Sequence, residues 1–324
     1  MTETFATLRE LAAQDAPELL DTPLPPDHRY QVVTTTVAEV TAQIVATLRT
    51  GFAGVAAADF PLLVVGWGRC RVGSTAVTNL FGMAGAASYY QPVKTIGRFV
   101  LTGGQGAPWK PPVGEPVAFA KEMAGPYVPF EDLFNPAQCL IEAGWPVEKL
   151  HLMVLDREPR ASMDSWMAKW EGKIGRERVA ENFYLSTLNY ARMRSFAARE
   201  GLATTHFPYE CSKRPEETVS RLFARIGISD LYDPAMLTGW GQAGDLNSEQ
   251  SKIHNPVEPE PYIVPGLHGS GDEYRYRARE ITCLTAEELA VADSPEVRSA
   301  YQASVGACTT ELDLPEPLRA EIFG

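Results

Sequence analysis

Residues 60–66 (FPLLVVG) form a short, continuous apolar run rich in β-branched side chains, the pattern of a strand buried on both faces. A glycine-bearing loop follows over 68–75, and residues 76–87 read as a helix. Strand, loop and helix in this order open a doubly wound α/β domain. Further strands are predicted at 116–121 (PVAFAK), 150–155 (LHLMVL) and 203–209. Helical spacing covers 160–170, 178–200 and 216–226, with short terminal helices over 287–302 and 316–322. The Gly/Pro-rich stretches 102–116 and 239–280 read as loops, the first long enough to be functional. Ahead of the first strand, residues 1–58 read as a helical extension, with a helix over 37–48 beyond the proline break at 23–26. The expected organisation is therefore an extension, 1–58, packed on one α/β domain, 59–324, whose central parallel sheet is flanked by helices.

Composition narrows the class. The chain has 324 residues, 45% hydrophobic and 22% charged, which is ordinary globular usage. It holds no apolar run long enough to span a bilayer, and its first residues lack the basic start and apolar core of a signal peptide. A soluble, cytoplasmic protein is expected. The five cysteines are scattered, with no Cys-x-x-Cys pair, and the five histidines are equally dispersed. Neither a disulfide framework nor a metal centre is expected from that spacing. A net charge of −12 speaks against nucleic acid or an anionic membrane as partner. An anionic small molecule could still bind in a local cradle of arginines and backbone amides.

Such a cradle is written into residues 68–75 (GRCRVGST). The spacing is that of a Walker A loop in which Ser74 stands where the lysine belongs. Backbone amides at a helix start attract phosphate. Loss of the lysine speaks against a conventional ATPase or kinase, and Arg71 can restore a positive charge on the same loop. Taken alone, the segment also suits a plain glycine turn. Arg71-Val72-Gly73-Ser74-Thr75 resembles the 5′-phosphosulfate loop of sulfotransferases that use 3′-phosphoadenosine-5′-phosphosulfate (PAPS). Residues 88–92 (SYYQP) resemble that family's aromatic-Glu-Pro element, with Gln91 in place of the acid.

The segment 156–160 (DREPR), directly after a strand, is similar to the family's Arg-Asp-Pro-Arg-like turn, and Ser165 keeps the spacing of the serine that follows it. The resemblance implies that Arg157 and Ser165 hold the 3′-phosphate. Residues 206–210 (HFPYE), then Pro215 and a helix ending at Gly227, match a third element and would set Tyr209 near the nucleotide. Tyr209 equally suits a core aromatic at a strand end. Residues 268–275 (HGSGDEYR) are similar to a bacterial sulfotransferase loop, with Asp272 for Asn, in which Arg275 would clamp the 3′-phosphate. The resemblance spans residues 61–275.

The reaction it implies is in-line displacement of a sulfo group from PAPS onto a small-molecule acceptor, in a P-loop-like sulfotransferase fold, with adenosine 3′,5′-bisphosphate as product and no metal. Arg71 and Lys121 are the candidate positive charges at the leaving oxygen. Many members carry Lys-Thr-His at this strand end, whereas residues 121–123 here are KEM. Glu122 is then the candidate base, with His268 or His254 as replacements. Trp109, Tyr127, Phe130 and Trp240 are candidate linings of an acceptor pocket. Two other readings stay open: a P-loop phosphotransferase or NTPase, and a non-catalytic binder of adenosine 3′,5′-bisphosphate.

Overall fold

The computed structural model describes residues 3–240, 252–263 and 273–324. The expected strands form as β1 (Leu62–Arg69), β3 (Val117–Ala124), β4 (Leu150–Asp156) and β5 (Ala203–Pro208). Two shorter strands, β2 (Ala87–Tyr90) and β6 (Ile253–His254), complete the set. They form one six-stranded sheet in the order β5-β4-β1-β3-β2-β6. Every pairing in it is parallel. The helices in chain order are α1 (Glu3–Ala13), α2 (Val37–Phe52), α3 (Ser74–Met83), α4 (Pro92–Leu101), α5 (Pro129–Leu133) and α6 (Pro136–Ala143). After these come α7 (Pro159–Ile174), α8 (Arg176–Glu200), α9 (Pro215–Ile226), α10 (Ala286–Ala292), α11 (Pro295–Glu311) and α12 (Glu316–Phe323). The fold is thus an α/β domain around a parallel sheet.

Strand alternation divides the core into two layers. Leu63, Val65, Trp67, Ala118 and Ala120 face a cluster built with α1, α2, α4, α5, α7 and α8. Val64, Phe119, Met123, Met153 and Leu155 face a second cluster built with α3, α9 and α12. Residues from α1 and α2, among them Phe5, Leu8, Val40, Ile44 and Leu48, belong to the first cluster. The amino-terminal segment is therefore continuous with the core under that face. A Thr36–Glu39 capping box starts α2.

Several element boundaries depart from the sequence reading. Strand β1 runs on through Gly68 to Arg69, so the loop before α3 is confined to residues 70–73. Gly68 is required there: a Cβ would lie 2.0 Å from the Leu155 carbonyl oxygen on neighbouring β4. Strand β3 ends at Ala124 rather than at Lys121. The helix expected over 287–302 is two helices, because Pro295 begins a new one at α11. Helix α4 was not evident from spacing. Residues 241–251 and 264–272 lie outside the described residues, and with them His268 and the start of the 268–275 motif. Among the described residues no helix is long and apolar enough to cross a membrane.

Candidate functional site

The loop between β1 and α3 is shaped for an anion. Arg71 and Gly73 both adopt left-handed backbone, at φ 67° and 82°. Among the described residues the amides of Arg71, Val72 and Gly73 find no acceptor, and the first-turn amides of α3 point into the same space. Gly73 carries a second constraint, since a Cβ there would meet the Tyr209 ring at 2.5 Å. Val72 contributes only its backbone, because its side chain is buried in the core.

The two arginines of this segment part company. Arg69, still in the strand, is buried and pairs with Asp156 at 2.6 Å. Arg71 opens into a cavity of about 260 Å³ at the carboxyl ends of β1, β3 and β4. Its Nε donates to Ser165 Oγ at 3.0 Å. Protein surrounds the Arg71 side chain even though its surface is open to the cavity. Burial, followed by the nearby Arg157 and Arg279 charges, lowers its pKa.

Lys121 reaches the same cavity, with Nζ donating to Thr75 Oγ1 at 3.2 Å and lying 3.7 Å from the Tyr90 ring centroid. Burial, then the cations Lys94, Arg71 and Arg98, holds it well below the usual lysine range. Glu122 does not join it. Because β3 continues to Ala124, successive residues keep pointing to opposite faces, and Glu122 turns toward α4. There its carboxylate accepts from the amides of Val93 at 2.6 Å and Lys94 at 3.1 Å. It caps a helix whose own N-cap residue, Gln91, makes no side-chain cap. Burial raises its pKa to about 8, against the two amide bonds. The expectation that Glu122 serves as base at the transfer site is corrected on this geometry.

At the end of β4, Asp156 accepts from the Arg157 amide at 2.8 Å and from Ser304 Oγ at 2.9 Å. Arg157 leans over the Tyr209 ring at 4.5 Å, and its Nη1 donates to the Arg71 carbonyl at 3.2 Å. Glu158 caps α7 by accepting from the Ala161 amide. Arg160 is a surface residue paired with Asp293 at 2.6 Å. Ser165 is buried on α7 and meets the cavity only through Arg71. Tyr209 lines the cavity and accepts a bond from the Arg277 amide at 3.0 Å. Arg275 also lines it, exposed and paired with Glu273 at 2.7 Å.

One cavity therefore brings together Arg71, Gly73, Ser74, Thr75, Lys121, Arg157, Tyr209 and Arg275. Among the described residues, no carboxylate lies within ion-pair reach of Arg71, Lys121 or Arg157. No described residues form a metal-holding group of three or more His, Cys, Asp and Glu.

Cavity residues that escaped the sequence reading include Arg98, Trp170, Tyr262 and Arg277. The alternation of Arg275, Arg277 and Arg279 with Tyr274 and Tyr276 was a legible signal for Arg277, as an extended segment turning its arginines one way. Of the aromatic candidates, Tyr127 and Trp240 line the cavity, Trp109 lines a separate groove, and Phe130 is core. Comparison with protein-family models, curated proteins and solved structures finds no match to this chain.

Proposed function

We infer that the protein is a sulfotransferase that takes the sulfo group of PAPS to a small-molecule acceptor. One observation carries this reading. Arg71 and Arg157 follow the ends of β1 and β4 and Lys121 lies in the last half of β3, yet they line one cavity with free backbone amides and, among the described residues, no carboxylate partner. A buried cation without a carboxylate, as Lys121 is here, is costly unless an anion arrives. A ligand with phosphate groups at both ends of a nucleoside suits their spread around the loop.

PAPS supplies an activated sulfo group, so the chain's task is to hold, orient and neutralise. The loop amides and Arg71 are suited to the 5′-phosphosulfate. Lys121 and Thr75, already bonded to each other, are suited to the oxygen that departs. Arg157, resting on Tyr209, is suited to the 3′-phosphate, with Ser165 fixing Arg71 rather than touching that phosphate.

The position of Glu122 favours a second reading, a binder of adenosine 3′,5′-bisphosphate without transfer. Glu273 is the one carboxylate among the described cavity residues, and none of them is a histidine.

Calorimetry with Arg157→Ala tests the shared part of both readings. Affinity for adenosine 3′,5′-bisphosphate should fall by about one to two decades, as for loss of a charged hydrogen bond, with adenosine 5′-phosphate much less affected. Equal losses for both ligands would remove Arg157 from the 3′-phosphate. Incubation with PAPS and a metabolite extract, read by mass spectrometry for an added sulfo group, separates enzyme from binder.

A further inference from the structure

A second concavity lies beside the first. It measures about 420 Å³ and runs between α4, residues 105–109 and residues 254–257. Its chemistry is the reverse of its neighbour's. Among the described residues no Asp, Glu, Lys or Arg lines it, and His254 is the one ionisable group there besides two tyrosines. Ile96 and Phe99 form one wall, Pro108 and Trp109 another, and Val257 stands at the rim with 83% of its surface exposed.

The flat walls are held in place from behind. Trp109 stacks on Trp145 at 5.6 Å and 11°, and Tyr89 stacks on His254 at 4.8 Å and 23°. A groove of this size and make-up takes an apolar molecule of ring dimensions. Tyr90 joins it to the cation cavity, for this residue lines both. Lys121 sits over the Tyr90 ring at 3.7 Å, so the boundary between groove and cavity is also where the candidate leaving-group cation stands.

We propose that this groove binds the apolar body of the acceptor, which is therefore an aromatic or alicyclic alcohol rather than a sugar or other highly polar molecule. The inference rests on the transferase reading for the word acceptor; the apolar site itself does not depend on it. The bound molecule lies along Phe99 and Trp109 with its hydroxyl directed past Tyr90 toward Lys121. Sulfo transfer then forms the bond from that hydroxyl oxygen to sulfur, breaks the bond from sulfur to the phosphate oxygen, leaves that electron pair on the 5′-phosphate of adenosine 3′,5′-bisphosphate, and gives the hydroxyl proton to water.

The test uses the full chain with 2-naphthol and glucosamine as probes, followed by calorimetry and by tryptophan fluorescence. 2-Naphthol should bind and glucosamine should not. Phe99→Asp, which puts a charge on a half-buried wall, should weaken 2-naphthol by about tenfold or more, and Val257→Asp by roughly threefold. Neither should change affinity for adenosine 3′,5′-bisphosphate. Equal 2-naphthol affinity in all three proteins, or glucosamine binding as tightly as 2-naphthol, would overturn the proposal. If Phe99→Asp does not fold, Val257→Asp on the exposed rim carries the test. Absence of bisphosphate binding in the wild-type protein would instead overturn the transferase reading. The naphthol titration needs no nucleotide and would still decide the groove.

Discussion

Arg69 ends β1 and Arg71 follows two residues later; Lys94 reaches the carbonyls of Met123 and Gly125 at the end of β3, the strand that carries Lys121. Arg69 and Lys94 are compensated. Arg69 has Asp156, and Lys94 shares Glu131 with Arg98, which also reaches Glu258 at 2.7 Å. Burial opposes the charge on Arg69 and Arg98, yet their carboxylates carry both guanidiniums upward in pKa. Arg71 and Lys121 have no such partners, and burial lowers both. One set of cations holds the fold together, and the other stands ready for a ligand's charge. Separation in sequence does not distinguish them; the presence of a carboxylate does.

The largest effect should come from breaking the compensated set. Asp156→Ala removes the acceptor for Arg69 and strands a buried guanidinium, which should cost about 3–5 kcal/mol in urea unfolding. Arg71→Ala should leave unfolding within about 0.5 kcal/mol of wild type. It should instead weaken adenosine 3′,5′-bisphosphate by about tenfold or more. Were the two substitutions to exchange these outcomes, the division between structural and ligand cations would be wrong.

Glu122 lies between the two sets, and its effect should be intermediate. Its pKa is raised from 4.5 to about 8 by burial. The folded state thus holds more protons than the unfolded state between those values, and its contribution to stability falls as pH rises through them. Glu122→Gln should flatten the pH dependence of unfolding across this window. It should leave bisphosphate affinity unchanged, because the side chain caps α4 and does not reach the cavity. A bisphosphate affinity that fell with this substitution would return Glu122 to the site.

The smallest effect is a proton count. Lys121 is depressed by burial and by neighbouring cations, so an arriving anion should raise its pKa and draw in a fraction of a proton at pH values below the ordinary lysine range. Titrations of adenosine 3′,5′-bisphosphate in buffers of different ionisation enthalpy would measure this uptake. It should vanish in Lys121→Met, and uptake that persisted there would assign it to another group.

Legibility in the sequence followed physical cause. Strands β1, β3 and β4 announced themselves because burial on both faces selects mainly apolar residues, whereas β5 (ATTHFP), at the sheet edge, showed only as a short stretch with β-branched threonines. Strand β6 holds two residues and β2 four, too short for any pattern. Helix α4 is hidden because it is buried nearly all round: Lys94 and Arg98 read as surface residues, and their partners Glu131 and Glu258, distant in sequence, make them interior. Around the site, Arg71, Lys121 and Arg157 were readable because they lie in or just after the carboxyl-terminal halves of strands, where an α/β domain gathers its ligands. Glu122 was misread because the length of β3 sets which face each residue takes, and a strand's end is the least legible part of it. The convergence of Arg98, Trp170 and Arg277 on the cavity depends on packing between distant segments, and spacing alone does not carry it.

The order of strands in the sheet also has a consequence for synthesis on the ribosome. The first strand made, β1, occupies the middle of the sheet between β3 and β4, and must wait for residues up to 156 before both its edges are paired. Helix α1 waits longer, since α8, against which it packs, ends at Glu200. While these partners are still being made, the nascent chain presents an apolar strand and then helix α1 without the surfaces they pack on. Such a topology folds late and through non-local contacts, and it makes shielding during translation a requirement of the architecture.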